Sequence, residues 1–443
     1  MPHYNDENDK KRRKERAVIA KLFGNTGGAY ARDSAAPGPA AVKKPRRGLK
    51  AACCAAGVLA ALYAFVVWAP FKPVEKLRNM YIETALSTMN HRWLATAFFP
   101  KSVVDQVRQQ MNDAVDRQTG LSSDWGGTTP EGYLSGADGQ PHAPLPTDTS
   151  DEAMEAFFDC FRELDRGEVL NWVAENPGLL EHGWGTLSAN EAGLEDDGLP
   201  IHTTRGDQVL AIDAATQTLL IRVKGAGWRG VLAIAKDPSR FSLQAAATLG
   251  DVGQNAGVIA QAHDAVLAMT ASGFLDVDGH GKGGQVTGFA RCDGKDYGDH
   301  LRGGYKRLEK HADNRLYLTD AVGPVREDVT DAMEFTPALI VDGKIVVDDT
   351  CGWTAVNPRA CLGQNDRYEM MMLVVEGRLP TVSMGTSVVT CAQLLYDYGC
   401  VQAMNMDGGT SAIMWYDGEY VTQCSNTALS AGRLLPNAWV YAR

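Results

Sequence analysis

The chain has 443 residues, of which 44% are apolar and 22% are charged, an ordinary globular composition with room for two or three domains. These values exclude a chain that is disordered along its whole length. The net charge is −11, but residues 1–50 carry 13 Lys/Arg and 5 Asp/Glu, which leaves −19 for residues 51–443. A body this acidic repels phosphate backbones, so we expect no nucleic-acid binding.

An uncharged segment follows the basic N-terminus. Residues 51–71 (AACCAAGVLAALYAFVVWAPF) contain no charged side chain, and about 20 apolar residues are what a helix needs to cross a bilayer. Basic clusters at 10–16 (KKRRKER) and 43–50 (KKPRRGLK) precede it, and basic residues stay on the cytoplasmic side. The sequence therefore predicts a cytoplasmic tail (1–50), a single transmembrane helix and an external remainder at the cell membrane. A cleaved signal peptide is the alternative, although no clear cleavage site precedes Pro70.

Residues 72–200 have the pattern of a helical stalk interrupted by a linker. Apolar residues recur at helical spacing over 73–118, and a further helix is predicted for 152–174. Between them, residues 119–150 are rich in Gly, Pro, Ser, Thr and Asp, which is typical of a linker or loop.

From residue 201 to 443 the pattern is α+β. Asp-Gly pairs at 342–343 and 417–418 predict hairpin turns, and short β-branched and apolar runs predict strands. The predicted strands include 209–213, 218–225, 230–236, 265–270 and 369–377, and the predicted helices are 252–263 and 388–398. We expect a mixed-sheet domain with flanking helices, preceded by the transmembrane helix and the stalk.

Seven cysteines lie in the predicted external part, where disulfides could form. They are Cys160, Cys292, Cys351, Cys361, Cys391, Cys400 and Cys424. The odd number leaves at least one unpaired, and the connectivity does not follow from the sequence, although Cys351 and Cys361 are near enough in sequence to pair. No C-x-x-C pair occurs among them, so a zinc or thioredoxin-type site is not supported.

The strongest candidate for chemistry is the segment 404–411 (MNMDGGTS), which lies between two apolar runs. Asp407 is expected at the end of a strand. Gly408 and Gly409 would let the backbone approach a ligand closely and leave N–H groups free. The alternative is an ordinary tight turn, because Asp and Asn are turn formers.

Two arginines are candidates for holding an anion. Arg359 follows Asn357 and Pro358, and Arg378 follows the predicted buried strand at 369–377. A guanidinium can hold a phosphate or a carboxylate through two hydrogen bonds, and an anionic ligand needs local positive charge in so acidic a body. The alternative for each is a surface salt bridge.

A glycine-rich segment at 270–284 carries Ser272 and Asp276. Asp276, Asp278 and Gly281 fit an EF-hand loop, but its last ligand should be Glu at position 287, which holds Thr. The EF-hand is therefore excluded, and a glycine-rich loop at a ligand site or a plain flexible loop remains. The motifs G-x-S-x-G and H-E-x-x-H are absent, so a serine hydrolase or a zincin has no local support.

These features, in this order, resemble the phosphodiester glycosidase domain family, and in particular its membrane-anchored bacterial branch. The resemblance covers most of 224–443 and a stalk helix at 80–99. It is carried by the following stretches: KGAGWRGVLAIAKDPSR (224–240), AVLAMTASGFLDVDGHGKGGQ (265–285), FTPALIVDGK (335–344), GWTAVNPRACLGQ (352–364), MLVVEGR (372–378), YGCVQAMNMDGGTSAIMWYDG (398–418) and RLLPNAWV (433–440).

The resemblance implies roles for particular residues. It implies catalytic roles for Asp407, Asn405 and Arg359. It also implies substrate binding by Arg378, Gly408, Gly409, Thr410, Ser411, Ser272 and Asp276. Two positions depart from the family pattern, since Thr270 stands where Asn is usual and Glu376 where Asp is usual. Four cysteines at positions where the family does not lead us to expect them suggest chain-specific disulfides: Cys351, Cys361, Cys391 and Cys400.

The function that the resemblance implies is hydrolysis of sugar-1-phosphodiesters outside the cell, by cleavage of the C1–O bond to a free sugar and a phosphomonoester. Phosphate is a good leaving group, so the site must mainly hold its charge and stabilise an oxocarbenium-like centre. Arg359, with Arg378 and the glycine amides, would hold the phosphate. Asp407 would act as base or nucleophile, with Asn405 and Ser411 orienting the substrate.

Three further hypotheses are left open by the sequence. One is a non-catalytic surface protein that binds phosphorylated glycans, which the Thr270 departure favours. Another is a phosphodiesterase that breaks the P–O bond. The third is that Asp407 binds a divalent cation, Ca²⁺ or Mg²⁺, because such ions prefer oxygen ligands. In the hydrolase hypothesis the substrate is a cell-envelope or surface glycan.

Overall fold

The computed structural model describes residues 47–88, 91–125, 143–194, 198–277 and 280–443. The predicted tail up to residue 46, most of the predicted linker and Asp278 lie outside the described residues. The chain divides into two units, Met1–Ala60 and Ala61–Arg443.

Helix α1 (Arg47–Trp68) contains the apolar segment. Its part Ala51–Trp68 has a mean hydropathy of 2.1, and 6% of it is buried. The helix ends before the predicted limit at residue 71, because Pro70 disfavours a helical conformation at the residue before it. Among the described residues, one helix, α1, is long enough and apolar enough to cross a membrane.

The predicted helix at 73–118 is divided into three helices: α2 (Lys72–Leu86), α3 (Trp93–Phe98) and α4 (Lys101–Asp116). Pro100 explains the second break, because the preceding residue Phe99 is extended, with φ −126° and ψ 145°.

The predicted helix at 152–174 is likewise two helices, α5 (Asp151–Cys160) and α6 (Arg166–Glu175). Each begins at its own N-cap. The hydroxyl of Ser150 accepts from the Ala153 amide at 3.1 Å, and the carboxylate of Asp165 accepts from the Glu168 amide at 3.0 Å. The cap at Asp165 starts a new helix inside the apolar pattern.

Two helices flank the C-terminal strands: α7 (Ala256–Ala262) and α8 (Val388–Asp397). The strands of the described residues are β1 (Ser188–Asn190), β2 (Gln208–Asp213), β3 (Thr218–Gly225), β4 (Trp228–Ala235), β5 (Phe241–Ala245), β6 (Ala265–Thr270), β7 (Ala290–Cys292), β8 (Lys295–Tyr297), β9 (Lys306–His311), β10 (Leu316–Asp320), β11 (Val329–Phe335), β12 (Ala338–Val341), β13 (Lys344–Ile345), β14 (Arg359–Asn365), β15 (Met370–Val375), β16 (Cys400–Asn405), β17 (Met414–Tyr416), β18 (Glu419–Tyr420) and β19 (Asn437–Ala442).

In the described part of the chain these strands form three antiparallel sheets. The largest has nine strands in the order β1-β2-β3-β4-β15-β14-β16-β12-β13. The other two have five strands each, in the orders β10-β9-β11-β7-β8 and β18-β17-β6-β19-β5. The α+β class is confirmed. A mixed sheet was expected, whereas every strand pair in the described residues is antiparallel.

The nine-stranded sheet is buried on both faces. Along β15, Met371 and Leu373 belong to the apolar cluster that includes residues of α5, α6 and α8, whereas Met370 and Met372 belong to the cluster shared with the two smaller sheets. Burial of both faces explains why this strand is a continuous apolar run instead of an alternating one.

Both predicted hairpins are confirmed. Asp342 and Gly343 join β12 to β13 with φ of +46° and +71°, and Asp417 and Gly418 join β17 to β18 with φ of +44° and +103°. Asp-Gly tolerates positive φ at both positions, which such two-residue turns require.

All nine cysteines lie in described residues, and they are free thiols in the structure. Cys361 is buried in β14, whereas Cys351 is half-buried in the loop before it, so the two do not pair. The disulfides that the sequence suggested are therefore not formed in this structure.

Candidate active site

As predicted, the candidate turn follows a strand, which is β16, an inner strand of the nine-stranded sheet. Asn405, the last residue of this strand, is buried, with 4% of its surface exposed. Its side-chain nitrogen donates to the carbonyl of Thr336 at 2.9 Å, and its amide donates to the carbonyl of Pro337 at 3.0 Å. Asn405 thus fixes the end of the strand from which the turn leaves.

Asp407 is half-buried two residues beyond the strand. Its amide donates to the Ala271 carbonyl at 3.1 Å, and its carboxylate accepts from the Ser411 hydroxyl. Burial raises the pKa of the carboxyl to about 6, against the opposing effects of the Ser411 hydrogen bond and the positive charge of Arg433. A carboxyl with such a pKa can exchange a proton near neutral pH.

Arg378 lies against Gly409 of this turn. A Cβ atom on Gly409 would be 3.3 Å from Nη1 and 3.4 Å from Nη2 of Arg378, and Gly409 has a φ of +61°. Nη2 of Arg378 donates to the side-chain oxygen of Asn357 at 2.9 Å. Burial and the charge of Arg359 lower the pKa of the Arg378 guanidinium. Glycine at 409 therefore gives the guanidinium room beside the turn.

The Gly409 amide is not free, contrary to the expectation from the sequence. It donates to the carbonyl of Pro358 at 3.0 Å, and a Cβ on Gly408 would lie 2.7 Å from the same oxygen. The missing side chains at these positions are used for close packing of two backbone segments. Positive charge at the turn comes from guanidinium groups instead.

Arg359 begins β14, beside Pro358. Its Nε donates to the carbonyl of Thr386 at 3.1 Å, and its Nη2 donates to the carbonyl of Ala355 at 2.6 Å. Burial lowers the pKa of this guanidinium. Two of its three nitrogens are thus bonded to the backbone.

Ser272 is held by a residue that the sequence did not single out. Its amide donates to the side-chain oxygen of Asn437 at 3.0 Å, and the side-chain nitrogen of Asn437 donates to its hydroxyl at 2.9 Å. Both residues are buried. This pair joins β19 to the segment whose Ala271 carbonyl accepts from Asp407.

Asp276 forms an ion pair with Arg433, at 2.5 Å from Nη1. Nη2 of Arg433 donates to the carbonyl of Gly281 at 2.8 Å, and its guanidinium carbon lies 4.6 Å from the ring centroid of Phe274. The hydrogen bond from Arg433 lowers the pKa of Asp276. The charges of Asp276 and Arg433 both affect Asp407, with opposite signs. Arg433 is therefore a neighbour of the candidate acid.

Thr410 and Ser411 form the remainder of the turn. The Thr410 hydroxyl accepts from the hydroxyl of Ser425 at 3.2 Å, and its carbonyl lies 3.4 Å from the thiol of Cys424. Ser411 is buried and faces Asp407.

The structure thus gathers the predicted residues 405–411, Ser272, Asp276 and Arg378 around one turn. Residues 263–442, which contain all of them, match the family model described as phosphodiester glycosidase. These residues belong to the phosphodiester glycosidase family. Arg359 lies in the same matched region.

The relatives of this phosphodiester glycosidase region are distant. The chain is 26% identical over 174 residues to an SPbeta prophage-derived uncharacterized protein of Bacillus subtilis (strain 168), a match that covers 36% of this chain and 26% of that protein. This chain therefore spans about a quarter of the length of that relative.

Among solved structures, the catalytic domain of zebrafish N-acetylglucosamine-1-phosphodiester alpha-N-acetylglucosaminidase, auto-inhibited by its pro-peptide, matches with a TM-score of 0.41 and 16% identity, over 59% of this chain and 90% of that one. A hypothetical protein from Synechocystis matches with a TM-score of 0.35 and 13% identity, over 51% of this chain and 62% of that one.

The two departures from the family pattern have different surroundings. Glu376 is buried, and its carboxylate binds Nε of Arg229 at 2.6 Å and the amide of Gln423 at 2.8 Å. Thr270 is also buried, but its hydroxyl has no hydrogen-bond partner within the described residues. Glu376 therefore stabilises the fold around the site through these two contacts, whereas Thr270 leaves its hydroxyl without a partner in the described residues.

The residues around Asp407 do not fit a divalent cation. The described residues contain no group of three or more His, Cys, Asp or Glu side chains placed to hold a metal ion. The Asp407 carboxylate accepts from Ser411 and lies near the positive charge of Arg433, and Asp276 is paired with the same arginine. Guanidinium groups beside a turn favour an anion instead.

Sequence reasoning from the family blocks missed Arg433 and Asn437. Both lie in the stretch RLLPNAWV (433–440), which matched the family as a block without any assigned role. Their partners Asp276 and Ser272 were predicted. The signal in the sequence was that a carboxylate and a hydroxyl in a glycine-rich loop need polar partners.

Proposed function

We propose that this protein hydrolyses sugar-1-phosphodiesters by cleavage of the C1–O bond, releasing a free sugar and a phosphomonoester. The observation that carries the proposal is a turn that carries a half-buried acid with a raised pKa, Asp407, and whose Gly409 lies against the guanidinium of Arg378. This combination supports binding of an anionic leaving group by the guanidinium and proton transfer by the carboxyl.

In the proposed reaction Arg378 binds the phosphate, and its planar fork suits two phosphate oxygens. Arg433, close enough to affect Asp407, adds positive charge near the anionic substrate. Arg359 donates hydrogen bonds to two backbone carbonyls. We therefore propose that it contributes positive charge to this region without binding the phosphate itself.

Asp407 acts as the base in this scheme. Water attacks C1, its proton passes to the Asp407 carboxylate, and the C1–O electron pair leaves with the phosphate. A pKa of about 6 leaves most of the carboxylate ionised at pH 7 and gives it more basicity than an ordinary aspartate. Ser411 holds this carboxylate, and Asn405 holds the strand end behind it.

The test is turnover of a GlcNAc-1-phosphodiester by the full-length protein in detergent. We expect release of free sugar by the wild type and a loss of at least a hundredfold for Asp407→Asn, because general acid-base catalysis contributes about 10²–10⁴-fold. Asp293→Asn, at an exposed aspartate of the same region, is the matched control and should keep full activity. Equal activity of Asp407→Asn and the control would contradict the proposal.

A non-catalytic protein that binds phosphorylated glycans is the second candidate, and the unsatisfied hydroxyl of Thr270 favours it. Tight binding of the same diester by the wild type without any turnover would support this candidate. Appearance of the label from isotopic water in the phosphate, instead of the sugar, would show P–O cleavage and a phosphodiesterase.

We also propose that α1 anchors the protein in the cell membrane, with the basic N-terminus in the cytoplasm and the phosphodiester glycosidase region outside. The apolar segment and the basic residues before it support this orientation. Its substrate would then be a cell-envelope or surface glycan. Protease added to intact cells should degrade the C-terminal region, and full protection of it would contradict the orientation.

A further inference from the structure

Five exposed apolar side chains lie next to one another where α1, α2 and α3 meet. Leu77 and Tyr81 of α2 are 61% and 39% exposed, and their spacing of four residues puts them on the same side of the helix. The Tyr81 ring lies 6.3 Å from that of Phe98 in α3, and the Phe98 carbonyl accepts from the Tyr63 hydroxyl at 2.9 Å. The Trp68 ring lies 6.4 Å from that of Tyr63. We call these five residues the apolar face.

Packing of the helices against one another does not use the apolar face. Val67 of α1, Ile82 of α2 and Ala95 of α3 are buried together in a separate apolar cluster. Nη1 of Arg78 also donates to the carbonyl of Val67 at 2.7 Å. The end of α1 is therefore fixed to α2 and α3 by other contacts, and the apolar face points away from them. A contiguous exposed apolar surface of this kind marks an interaction site.

The length of the apolar segment indicates what covers this face. Ala51–Trp68 has 18 residues, which at about 1.5 Å per residue extend about 27 Å, close to the hydrocarbon thickness of about 30 Å. A segment this short has no residues to spare, so its last turns lie at the membrane boundary, where Tyr and Trp are favoured. Phe98 lies at the same boundary, because its carbonyl is bonded to Tyr63.

The charge around the apolar face also fits a membrane surface. Residues 72–101 carry five Lys/Arg and two Asp/Glu, a net charge of +3 within a region (51–443) of net charge −19. Lys72, Lys76, Arg92 and Lys101 are all exposed. Basic side chains beside an apolar surface attract anionic phospholipids, by about 1 kcal/mol each. A second copy of the chain would bring the same positive charge to the face and would be repelled.

The helix that carries much of this face is also fastened to the candidate active site. The buried carboxylate of Glu83 in α2 accepts from the Gly352 amide at 2.9 Å. The Ser87 hydroxyl accepts from the side-chain nitrogen of Asn357 at 2.9 Å, and the side-chain oxygen of Asn357 accepts from Arg378 at 2.9 Å. Contact of α2 with a membrane would therefore set the distance of Arg378 from the bilayer.

We propose that the apolar face lies in the headgroup region of the bilayer and binds anionic phospholipid, so that α2 and α3 form a second membrane contact beside α1. The inference rests on the anchoring proposed above for α1, and it does not depend on the catalytic proposal. It holds the candidate active site at a fixed height above the membrane, where glycans attached near the surface come within its reach.

The experiment places single nitroxide labels in the full-length protein, reconstituted in vesicles of phosphatidylcholine and phosphatidylglycerol. Leu77→Cys tests the apolar face, and Leu170→Cys, at an exposed leucine of α6, is the matched control. Both are made with Cys53→Ser, Cys54→Ser and Cys351→Ser, because these three cysteines are exposed or half-buried. A third protein keeps Cys54 as the labelled residue and reports on α1. EPR then measures collisions of each label with oxygen, which concentrates in lipid, and with a nickel chelate, which stays in water.

We expect the ratio of oxygen to nickel-chelate collisions to be several-fold higher at positions 77 and 54 than at position 170. Tyr81→Cys, labelled in the same way, should agree with position 77 and guards against a local effect of one label. Equal ratios at 77 and 170 would overturn the lipid contact, while a high ratio at Cys54 would still uphold the anchoring. Few collisions of the label at position 77 with either reagent would show that protein, such as a second copy of the chain, covers the face, and would overturn the proposal too.

Vesicles of phosphatidylcholine alone test the choice of lipid. They should lower the ratio at position 77 and leave it unchanged at Cys54, because the exposed basic side chains lose their anionic partners. An unchanged ratio at position 77 would overturn the binding of anionic phospholipid. A low ratio at Cys54 in both kinds of vesicle would overturn the anchoring by α1, and the ratio at position 77 would still decide the lipid contact.

Discussion

Replacement of Asp407 by Asn should stabilise the folded protein at neutral pH. Burial raises the pKa of this carboxyl from 3.8 to about 6, so the folded state disfavours the ionised form. One pKa unit corresponds to about 1.4 kcal/mol, and the shift of roughly two units makes the ionised form cost about 3 kcal/mol at pH 7. Asparagine has the shape of the acid without its charge, so the variant should recover most of this free energy.

The sign of the effect depends on pH. A carboxyl whose pKa is raised on folding binds more protons in the native state, so the wild type loses stability as pH rises from about 4 to about 6. The gain from Asp407→Asn should therefore be near zero at pH 4, grow through this window and level off above it. Ser411 keeps an oxygen acceptor on the asparagine, so its hydroxyl stays satisfied.

The assay is urea unfolding of the detergent-solubilised full chain at pH 4.5 and at pH 7, with Asp293→Asn as the control for an exposed aspartate. Asp407→Asn should raise the midpoint clearly more at pH 7 than at pH 4.5, and the control should change neither. A variant that is equally stable or less stable at pH 7, or a gain that does not depend on pH, would refute the reasoning.

Three other predictions concern the site and the core. Because the reaction requires an ionised Asp407, kcat/KM should fall about tenfold per pH unit below pH 6. A kcat/KM that does not change with pH below 6 would exclude Asp407 as the base. Arg378→Lys should lower kcat/KM by about tenfold to hundredfold by loss of the planar fork, whereas unchanged kinetics would place the phosphate elsewhere. Lys236→Met should lower the unfolding free energy by about 3–5 kcal/mol, since Glu163 and Glu369 lose their buried partner; a loss under 1 kcal/mol by urea unfolding would contradict this.

Local signals predicted many of the elements. The strand at 265–270 agrees with β6 at both ends, and both Asp-Gly hairpins are confirmed. The helical periodicity over 73–118 did not show the breaks in that region, because apolar spacing continues across the extended Phe99 before Pro100. The assembly of strands into three sheets depends on contacts between distant segments, which periodicity does not report.

The candidate site was predictable in its residue types and less so in its contacts. The glycines at 408 and 409 indicated that another group approaches the backbone closely. We expected that group to be a ligand, whereas in the structure Pro358 and Arg378 occupy the space. The partnership of Asp276 with Arg433 joins residues far apart in sequence. Such long-range pairs become visible when the loops fold together.

The most direct test of the account is a crystal structure of the Asp407→Asn protein with a bound GlcNAc-1-phosphodiester. We predict that phosphate oxygens lie within hydrogen-bond distance of the Arg378 guanidinium and that the anomeric carbon faces the side chain at position 407. A diester bound elsewhere, with Arg378 and the residue at 407 both free of it, would contradict the central claim.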